Sequence, residues 1–200
     1  MDSLKYHQRI GTLISCFELP NELLNDFNKN CEVANEDHSA HLVGRIDQQN
    51  KVQVEIIEKH GKFLTDAAKE HLATDLSNKP EIKHIIPRIV VANAWFNRML
   101  EPHEFNPLHW HTECVMSSVG FLKLPDNYAE EDKVKGKLSF YSGSYPHVPH
   151  VIAPKVGDFY VFPWYLQHQV YPIGKITGER RSFSVNFVMI EEDATRKQTN

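Results

Sequence analysis

The feature that most constrains the fold is a series of short apolar segments after Pro80, separated from one another by proline and glycine. Such segments predict strands, because they are rich in β-branched and aromatic residues and are bounded by turn residues. They cover residues 85–95, 115–124, 137–141, 159–162 and 182–190. Nothing in this region has the length and spacing of a long helix. Short strands with frequent turns predict a β-sandwich or barrel.

The N-terminal part has a different pattern. Residues 8–19 predict a strand, and Asn21 is a candidate cap for a helix that runs past Phe27. Apolar residues at helical spacing predict a longer helix over 54–76, which ends before Pro80. Two helices followed by an all-β remainder predict a mainly β jelly roll with N-terminal helices packed on the outer face of one sheet. We expect a single domain over 1–200, with helical support over about 20–78 and a jelly-roll core over about 83–191.

Composition excludes several classes of protein. The net charge of −4 provides no basic surface for nucleic acid or an anionic membrane. The cysteines Cys16, Cys31 and Cys114 are few and scattered, which favours reduced thiols over a disulfide framework. No apolar run approaches the roughly 20 residues of a membrane helix, and the N-terminus lacks a signal pattern. These features favour a cytoplasmic protein.

The candidate metal motif is the pair His109 and His111. In an extended strand, residues two apart point to the same side, so both imidazoles can close on one ion. His168, which follows the apolar run 159–162, supplies a third ligand. An open iron site takes about three protein ligands on one face and leaves the other positions free. Because Glu113 also lies two residues from His111, the set His111, Glu113 and His168 remains the alternative.

The last predicted strand has one polar face and one apolar face. The polar side chains are Arg180, Ser182, Ser184 and Asn186, and the apolar ones are Phe183, Val185, Phe187 and Met189. The polar face either lines a cavity or is exposed to solvent, and the position of Arg180 relative to the histidines favours a cavity. Arg180 would hold a carboxylate through a bidentate pair, with Ser182 adding a hydroxyl. Arg181 is expected to be a surface residue with its stem packed on apolar neighbours, but the roles of the two arginines exchange if the strand phase is wrong.

The candidate pocket walls are aromatic, and ordinary core packing is the alternative for each one: Trp95, Phe121, Tyr141 and Trp164. His103, His147 and His150 lie in proline-punctuated loops and are weaker candidates for substrate contact.

A series of ordered blocks resembles the 2-oxoglutarate/Fe(II)-dependent oxygenases of the prolyl-4-hydroxylase-like group, including bacterial and phage types. The blocks are NAW at 93–95, NPLHWH at 106–111, SSVGFL at 117–122, GKLSF at 136–140, GDFYVFP at 157–163, HQVYP at 168–172 and ERRSFSVNF at 179–187. Each block is weak alone, but the ordered series is fairly specific.

The resemblance implies a double-stranded β-helix of the cupin-like jelly-roll type. It implies Fe(II) at His109, His111 and His168, 2-oxoglutarate as cosubstrate at Arg180, and O2. The implied reaction is hydroxylation of a substrate C–H bond, with peptidyl proline as the substrate of well-known relatives and with succinate and CO2 as coproducts. The chain departs from the group in two ways: relatives often have Tyr in place of Phe121, and the metal motif lacks the usual Asp.

Two other functions remain open: a cupin-like metal enzyme that does not use 2-oxoglutarate, and a non-catalytic jelly-roll binding module. The expected partner is a peptide, protein or small-molecule substrate, with a homodimer left open and no nucleic acid or membrane. The expected location is the cytoplasm, or the host cytoplasm if the chain is phage-encoded.

Overall fold

The computed structural model describes residues 2–78, 88–126, 128, 134–143, 149–175 and 177–190. The helices are α1 (Asn21–Val33) and α2 (Val54–Asp75), and single 3-10 turns cover Ser39–His41 and Leu76–Asn78. The strands are β1 (Leu4–Arg9), β2 (Leu13–Glu18), β3 (Arg88–Met99), β4 (Asn106–His109), β5 (Met116–Lys123), β6 (Leu138–Tyr141), β7 (His150–Ile152), β8 (Asp158–Pro163), β9 (Gln167–Val170) and β10 (Arg180–Ile190).

The strands form two antiparallel sheets. The larger sheet has the order β1-β2-β8-β5-β10-β3, and the smaller one has the order β4-β9-β6-β7. From β3 onward, sequence neighbours alternate between the sheets except for the paired strands β6 and β7, as they do in a jelly roll. The predicted mainly β fold class is confirmed.

Both helices pack on the outer face of the larger sheet, as predicted. Phe27 of α1 and Leu64 of α2 are fully buried in one cluster with Phe183 and Phe187 of β10. The ring centroids of Phe27 and Phe183 are 4.3 Å apart. Burying one such aromatic side chain contributes roughly 1.5–3 kcal/mol, so this face holds the helices to the sheet.

One glycine is required by this packing. Gly120 of β5 pairs with Phe183 of β10, and a Cβ at Gly120 would lie 2.2 Å from the Phe183 ring. Because that distance is far below van der Waals contact, even alanine at this position would displace the ring from the helix-facing core.

A second core lies between the two sheets. It joins Val119 and Phe121 of β5 with Phe140 of β6, Phe162 of β8 and Val170 of β9. The larger sheet therefore separates a helix-facing core from an inter-sheet core. The even-numbered residues of β10 point to the inter-sheet side, where the candidate site lies.

Several predicted boundaries were wrong in detail. The strand predicted over 8–19 is a hairpin of β1 and β2, because Gly11 turns the chain with a φ of 91°. Pro20, not Asn21, occupies the N-cap of α1, and no side chain caps it. The strand predicted from residue 85 begins outside the described residues, and β3 continues past residue 95 to Met99 because it pairs with β10 along that length. Strand β7 was not predicted, and the extended strand expected to carry both His109 and His111 is β4, which ends at His109.

Residues 34–53 wrap along the edge of the larger sheet. Isolated bridges join Gln48 to Arg98 and Lys51 to Trp95 of β3. This segment covers part of the edge strand and brings polar residues to the cavity between the sheets.

Among the described residues, no helix is both long enough and apolar enough to cross a membrane.

Candidate active site

Three histidines from the smaller sheet and its flanking loop converge. His109 at the end of β4 pairs directly with His168 of β9. His111 follows β4, and its backbone N–H donates to the Trp164 carbonyl over 3.0 Å. One ring nitrogen from each imidazole lies within 4.8 Å of the others, and the Nε2 atoms of His111 and His168 are 3.3 Å apart.

Backbone carbonyls orient two of these rings. The Nδ1 of His109 lies 2.6 Å from the Pro107 carbonyl oxygen, and the Nδ1 of His168 lies 2.9 Å from the Leu166 carbonyl oxygen. Because a carbonyl only accepts, each Nδ1 carries the proton and donates it. Each Nε2 then presents a lone pair to the point where the rings meet. Metal-binding histidines are oriented by hydrogen bonds of this kind.

Burial keeps the three imidazoles neutral. It lowers the pKa of His111 to about 3 and lowers the pKa of His109 below its usual range. The pKa of His168 also falls well below its usual value, first through burial and then through the two neighbouring imidazoles. Neutral imidazole is the form that binds a metal, so the donor set fits a divalent cation.

Glu113 lies outside this group. Among the described residues, the donor atoms that converge are those of the three histidines. Glu113 is exposed and has a φ of 57°, which turns the chain away after His111. The structure therefore does not bring the alternative ligand to the other two.

Arg180 is buried in the inter-sheet space with one open hydrogen-bonding position. It is 1% exposed, its Nε donates to the Gly136 carbonyl over 3.1 Å, and its Nη1 lies 3.4 Å from the Ser182 hydroxyl oxygen. Its guanidinium carbon stands 5.0 Å from the centroid of the Phe121 ring. The buried Nη2 has no partner.

The charge of Arg180 is not offset by a carboxylate among the described residues. Burial lowers its pKa to about 10, so the guanidinium remains charged at neutral pH. A buried cation without a counter-charge is destabilising by several kcal/mol, roughly, unless an anion joins it. The unpaired Nη2 therefore fits an anionic ligand from outside the chain.

One cavity of about 600 Å³ joins the histidines to Arg180. Its lining includes the three imidazoles and the even-numbered side chains of β10, which are Arg180, Ser182, Ser184 and Asn186. Arg180 and Glu113 are the charged side chains among the described lining residues. The metal-binding group and the anion-binding group thus face the same space.

The four candidate wall residues are distributed differently. Trp95 lines the cavity, with its ring centroid 5.8 Å from that of His111. Phe121 lies against Arg180 in the buried core. Tyr141 and Trp164 line a separate depression of about 530 Å³ beside the cavity.

Two of the three weaker histidine candidates, His103 and His150, are not among the residues that line the cavity. His103 is exposed in a turn, and His150 lies in β7. His147 lies outside the described residues.

The surface position expected for Arg181 was wrong. Arg181 is 3% exposed, forms ion pairs with Glu179 and Glu32, and donates through Nη1 to the Asn28 carbonyl over 3.1 Å. Helix α1 covers this side of β10 and supplies Glu32, so the buried charge is paired. Only the packing of α1 on the sheet makes this possible.

Sequence reasoning missed a polar chain in the cavity wall. The Gln49 side-chain amide donates to Asn97 Oδ1 over 2.8 Å, and the Asn97 amide lies 3.4 Å from the Ser184 hydroxyl oxygen. The period of two along β3 places Asn97 on the same face as Trp95, so that residue could have been found. Nothing in the sequence spacing points to Gln49, which arrives from the wrapping segment.

The comparisons with known proteins agree with this geometry. Residues 93–186 match a family described as "Putative 2OG-Fe(II) oxygenase". The matched range contains all three histidines, Arg180 and the polar face of β10. Among curated proteins, no match to this chain is found.

Solved structures share the fold at low sequence identity. A Pseudomonas putida prolyl-4-hydroxylase superposes with a TM-score of 0.56 at 18% identity, over 88% of this chain and 92% of that one. A Trichoplax adhaerens prolyl hydroxylase, solved with a hypoxia-inducible-factor peptide, has a TM-score of 0.57 at 12% identity, over 88% and 83%. A Burkholderia pseudomallei oxidoreductase of the 2OG-Fe(II) oxygenase family has a TM-score of 0.55 at 16% identity, over 86% and 84%.

A neutral three-histidine cluster and a buried arginine with an unpaired Nη2 meet in one cavity of a jelly roll. Residues 93–186, which carry all of these groups, match the 2OG-Fe(II) oxygenase family. Together with the shared fold, the match indicates a 2-oxoglutarate-dependent, non-haem iron oxygenase.

Proposed function

We propose that the chain binds Fe(II) through His109, His111 and His168, binds 2-oxoglutarate through Arg180 and Ser182, and hydroxylates a substrate C–H bond. The substrate R–H, 2-oxoglutarate and O2 give R–OH, succinate and CO2. One oxygen atom enters the alcohol and the other enters the new carboxylate of succinate. The observation that carries the proposal is the unpaired, buried Nη2 of Arg180 in the cavity of the three converging imidazoles.

The protein's residues mainly hold and orient. The Pro107 and Leu166 carbonyls fix two rings through their Nδ1–H groups, so the metal-binding nitrogens are arranged before an ion arrives. Bound Fe(II) would supply the activation of O2 and of the 2-keto acid. Arg180 would pair with the distal carboxylate of 2-oxoglutarate, and its burial makes that attraction stronger than in water. Trp95 and Phe162 would limit access of water beside the His111 ring.

The ligand set also bears on the charge of the site. Three neutral imidazoles leave the charge of Fe(II) uncompensated, whereas two histidines and a carboxylate would offset part of it. Dianionic 2-oxoglutarate would then offset two of the three positive charges that the metal and Arg180 carry together. We infer that metal and cosubstrate bind cooperatively, since each lowers the electrostatic cost of the other.

The first substrate to test is a prolyl peptide. Two of the structures that share this fold are prolyl hydroxylases, and one of them was solved with a bound peptide. The cavity lining includes the exposed side chains of Leu108 and Trp110, against which an extended peptide could lie. A small-molecule substrate is the second candidate, because a cavity of about 600 Å³ also encloses a ligand of that size.

The decisive experiment measures succinate after Fe(II) is loaded without oxygen and O2 is then admitted. We expect slow succinate formation without any substrate and faster formation with the correct peptide. Arg180→Ala should abolish 2-oxoglutarate consumption but leave Co(II) binding, followed by its absorption spectrum, unchanged. Turnover that is insensitive to Arg180→Ala would favour a cupin-like enzyme without 2-oxoglutarate. Absence of both succinate and stoichiometric metal would favour a binding module.

A further inference from the structure

The cavity has two chemically different ends. Arg180 stands at one end of the polar face of β10, and Asn186 stands six residues further along the same strand, a distance of roughly 20 Å at the rise of an extended chain. The Val115 N–H donates to the Phe187 carbonyl over 2.8 Å, which ties the segment that follows Glu113 to the Asn186 end. Asn93 of β3 pairs with Asn186 and lines the same cavity.

The Asn186 end offers hydrogen-bond acceptors. Asn186 is only 6% exposed, and its buried Oδ1 has no hydrogen-bond partner among the described residues. A buried amide oxygen without a hydrogen bond is destabilising, so it fits a ligand that brings a donor. Glu113 adds a carboxylate to the cavity lining near this end.

Charge and aromatic surface point to the same ligand chemistry. Glu113 is the negatively charged side chain among the described residues that line the cavity, and Arg180, the positive one, lies at the other end. Trp110 is 52% exposed, and both Trp110 and Trp95 line the cavity. An indole face attracts a cation within about 6 Å of its centroid.

We propose that the Asn186 end of the cavity, with Glu113 and Asn186, is a subsite for a basic, N–H-rich group of the substrate, an ammonium or a guanidinium. Such a group donates hydrogen bonds and accepts none, which matches the carboxylate of Glu113 and the Oδ1 of Asn186. Its positive charge is repelled by Arg180, so the polarity of the cavity sets its orientation. A peptidyl proline carries no N–H, so this subsite recognises a group other than the proline ring itself.

The inference rests on the proposed function only in placing the oxidised carbon near the histidines. Binding of the basic group can be measured without turnover. The probes are acetylated, amidated peptides Gly-Gly-X-Gly-Gly with X as Lys, Arg, Gln, Met or Glu, together with free lysine amide. Affinity is measured by calorimetry on the full chain, both metal-free and loaded with Fe(II) and 2-oxoglutarate without oxygen.

We expect the Lys or Arg peptide to bind about tenfold more tightly than the Gln peptide at low salt, and this preference should shrink as salt screens the exposed carboxylate. Glu113→Gln should remove most of the preference. Asn186→Asp adds a second anion without changing the size of the side chain, and should strengthen binding of the basic peptide several-fold. Glu58→Gln on the exposed side of α2 removes the same charge far from the cavity and should change nothing.

Equal binding of the Lys and Gln peptides, or a preference that survives Glu113→Gln unchanged, would overturn the subsite. Free lysine amide that binds as tightly as the Lys peptide would support the subsite and assign it to a small molecule. Basic preference without succinate from any probe would leave the subsite standing and reject the proposed function. If the Lys and Gln peptides bind with equal affinity and give equal amounts of succinate, the proposed function stands and the subsite is rejected.

Discussion

Arg180 and Arg181 are neighbours on one strand, and both are almost fully buried, yet their surroundings differ. Arg181 points towards α1 and forms ion pairs with Glu179 and Glu32. Arg180 points between the sheets, where its Nη2 has no partner. A buried charge that the chain itself compensates is part of the fold, whereas one that lacks compensation requires a ligand. The comparison separates a structural arginine from a binding arginine of the same type.

The largest expected effect is on stability, from Arg181→Met. The substitution removes the closest cation of Glu179, whose side chain is 5% exposed, and leaves Arg98 as its remaining close partner at 2.9 Å. We expect the free energy of unfolding to fall by about 3 kcal/mol, the lower end for a broken buried pair because Arg98 still compensates Glu179, measured by urea denaturation. Lys123→Met is the matched control, because Lys123 is half exposed and lies 3.6 Å from the same carboxylate. Its removal should change stability by less than about 1 kcal/mol.

The same substitution at the neighbouring position, Arg180→Met, should weaken 2-oxoglutarate binding without destabilising the fold. Loss of a charge-assisted carboxylate pair of about 2–3 kcal/mol predicts 2-oxoglutarate affinity roughly 30- to 150-fold weaker. Stability without cosubstrate should stay level or rise, because an uncompensated buried cation is removed. Calorimetric titration of 2-oxoglutarate and urea denaturation test the two halves. A large loss of stability with unchanged cosubstrate affinity would reverse the assignment of the two arginines.

His71 is a buried basic side chain that has neither a carboxylate partner within the described part of the chain nor a proposed ligand. Burial instead favours its neutral form. Burial lowers the pKa of His71 to about 4, and its Nδ1 lies 2.7 Å from the Ser15 hydroxyl oxygen. Because the folded pKa lies below the unfolded value of about 6.5, the unfolded chain binds the extra proton first as pH falls. Stability contributed by neutral His71 should therefore be present above about pH 6.5 and be lost towards pH 4.

The measurement is urea denaturation of metal-free protein at several pH values, with His71→Leu for comparison. The wild type should lose more stability than the variant on acidification, by up to ~1.4 kcal/mol for each pH unit between about 6.5 and 4. The difference between the two proteins removes the contribution of the metal-site histidines, which act in the same direction. Parallel pH profiles would mean that His71 is not held neutral by the fold.

The smallest effect on 2-oxoglutarate affinity should come from Phe121→Tyr. This substitution tests whether a hydroxyl at that position reaches the anion beside Arg180. Phe121 is fully buried with its ring under the guanidinium. If the added hydroxyl reaches the anion held by Arg180, 2-oxoglutarate should bind about three- to tenfold more tightly, as one further hydrogen bond of about 1 kcal/mol allows. A fall in stability without a gain in affinity would show that the hydroxyl only disturbs the core.

More of the candidate site residues than of the surrounding strands and segments could be predicted from the sequence alone. Alternation along residues 180–187 separated the polar face from the apolar face, because the period of a strand is two wherever the strand lies. The same rule paired His109 with His111. Local spacing did not show that residues 8–19 contain the turn of a hairpin, since β1 is mostly polar and is ordered as a strand by its pairing with β2. It also could not find Gln49, which meets Asn97 only because the segment before α2 wraps along β3.

The sequence determined which residues could act: three histidines, an arginine and a polar strand face, each at a spacing that fixes its direction within its own element. Only the tertiary structure decided which of these groups meet and which charges remain unpaired. The pairing of β4 with β9 sets His109 opposite His168, and the packing of α1 adds Glu32 to the neighbouring Glu179 beside Arg181, while Arg180 faces the inter-sheet cavity without a carboxylate from the described residues. The contribution of Glu32 and the lack of a partner at Arg180 depend on distances across elements that are far apart in the chain, so no local pattern can encode them.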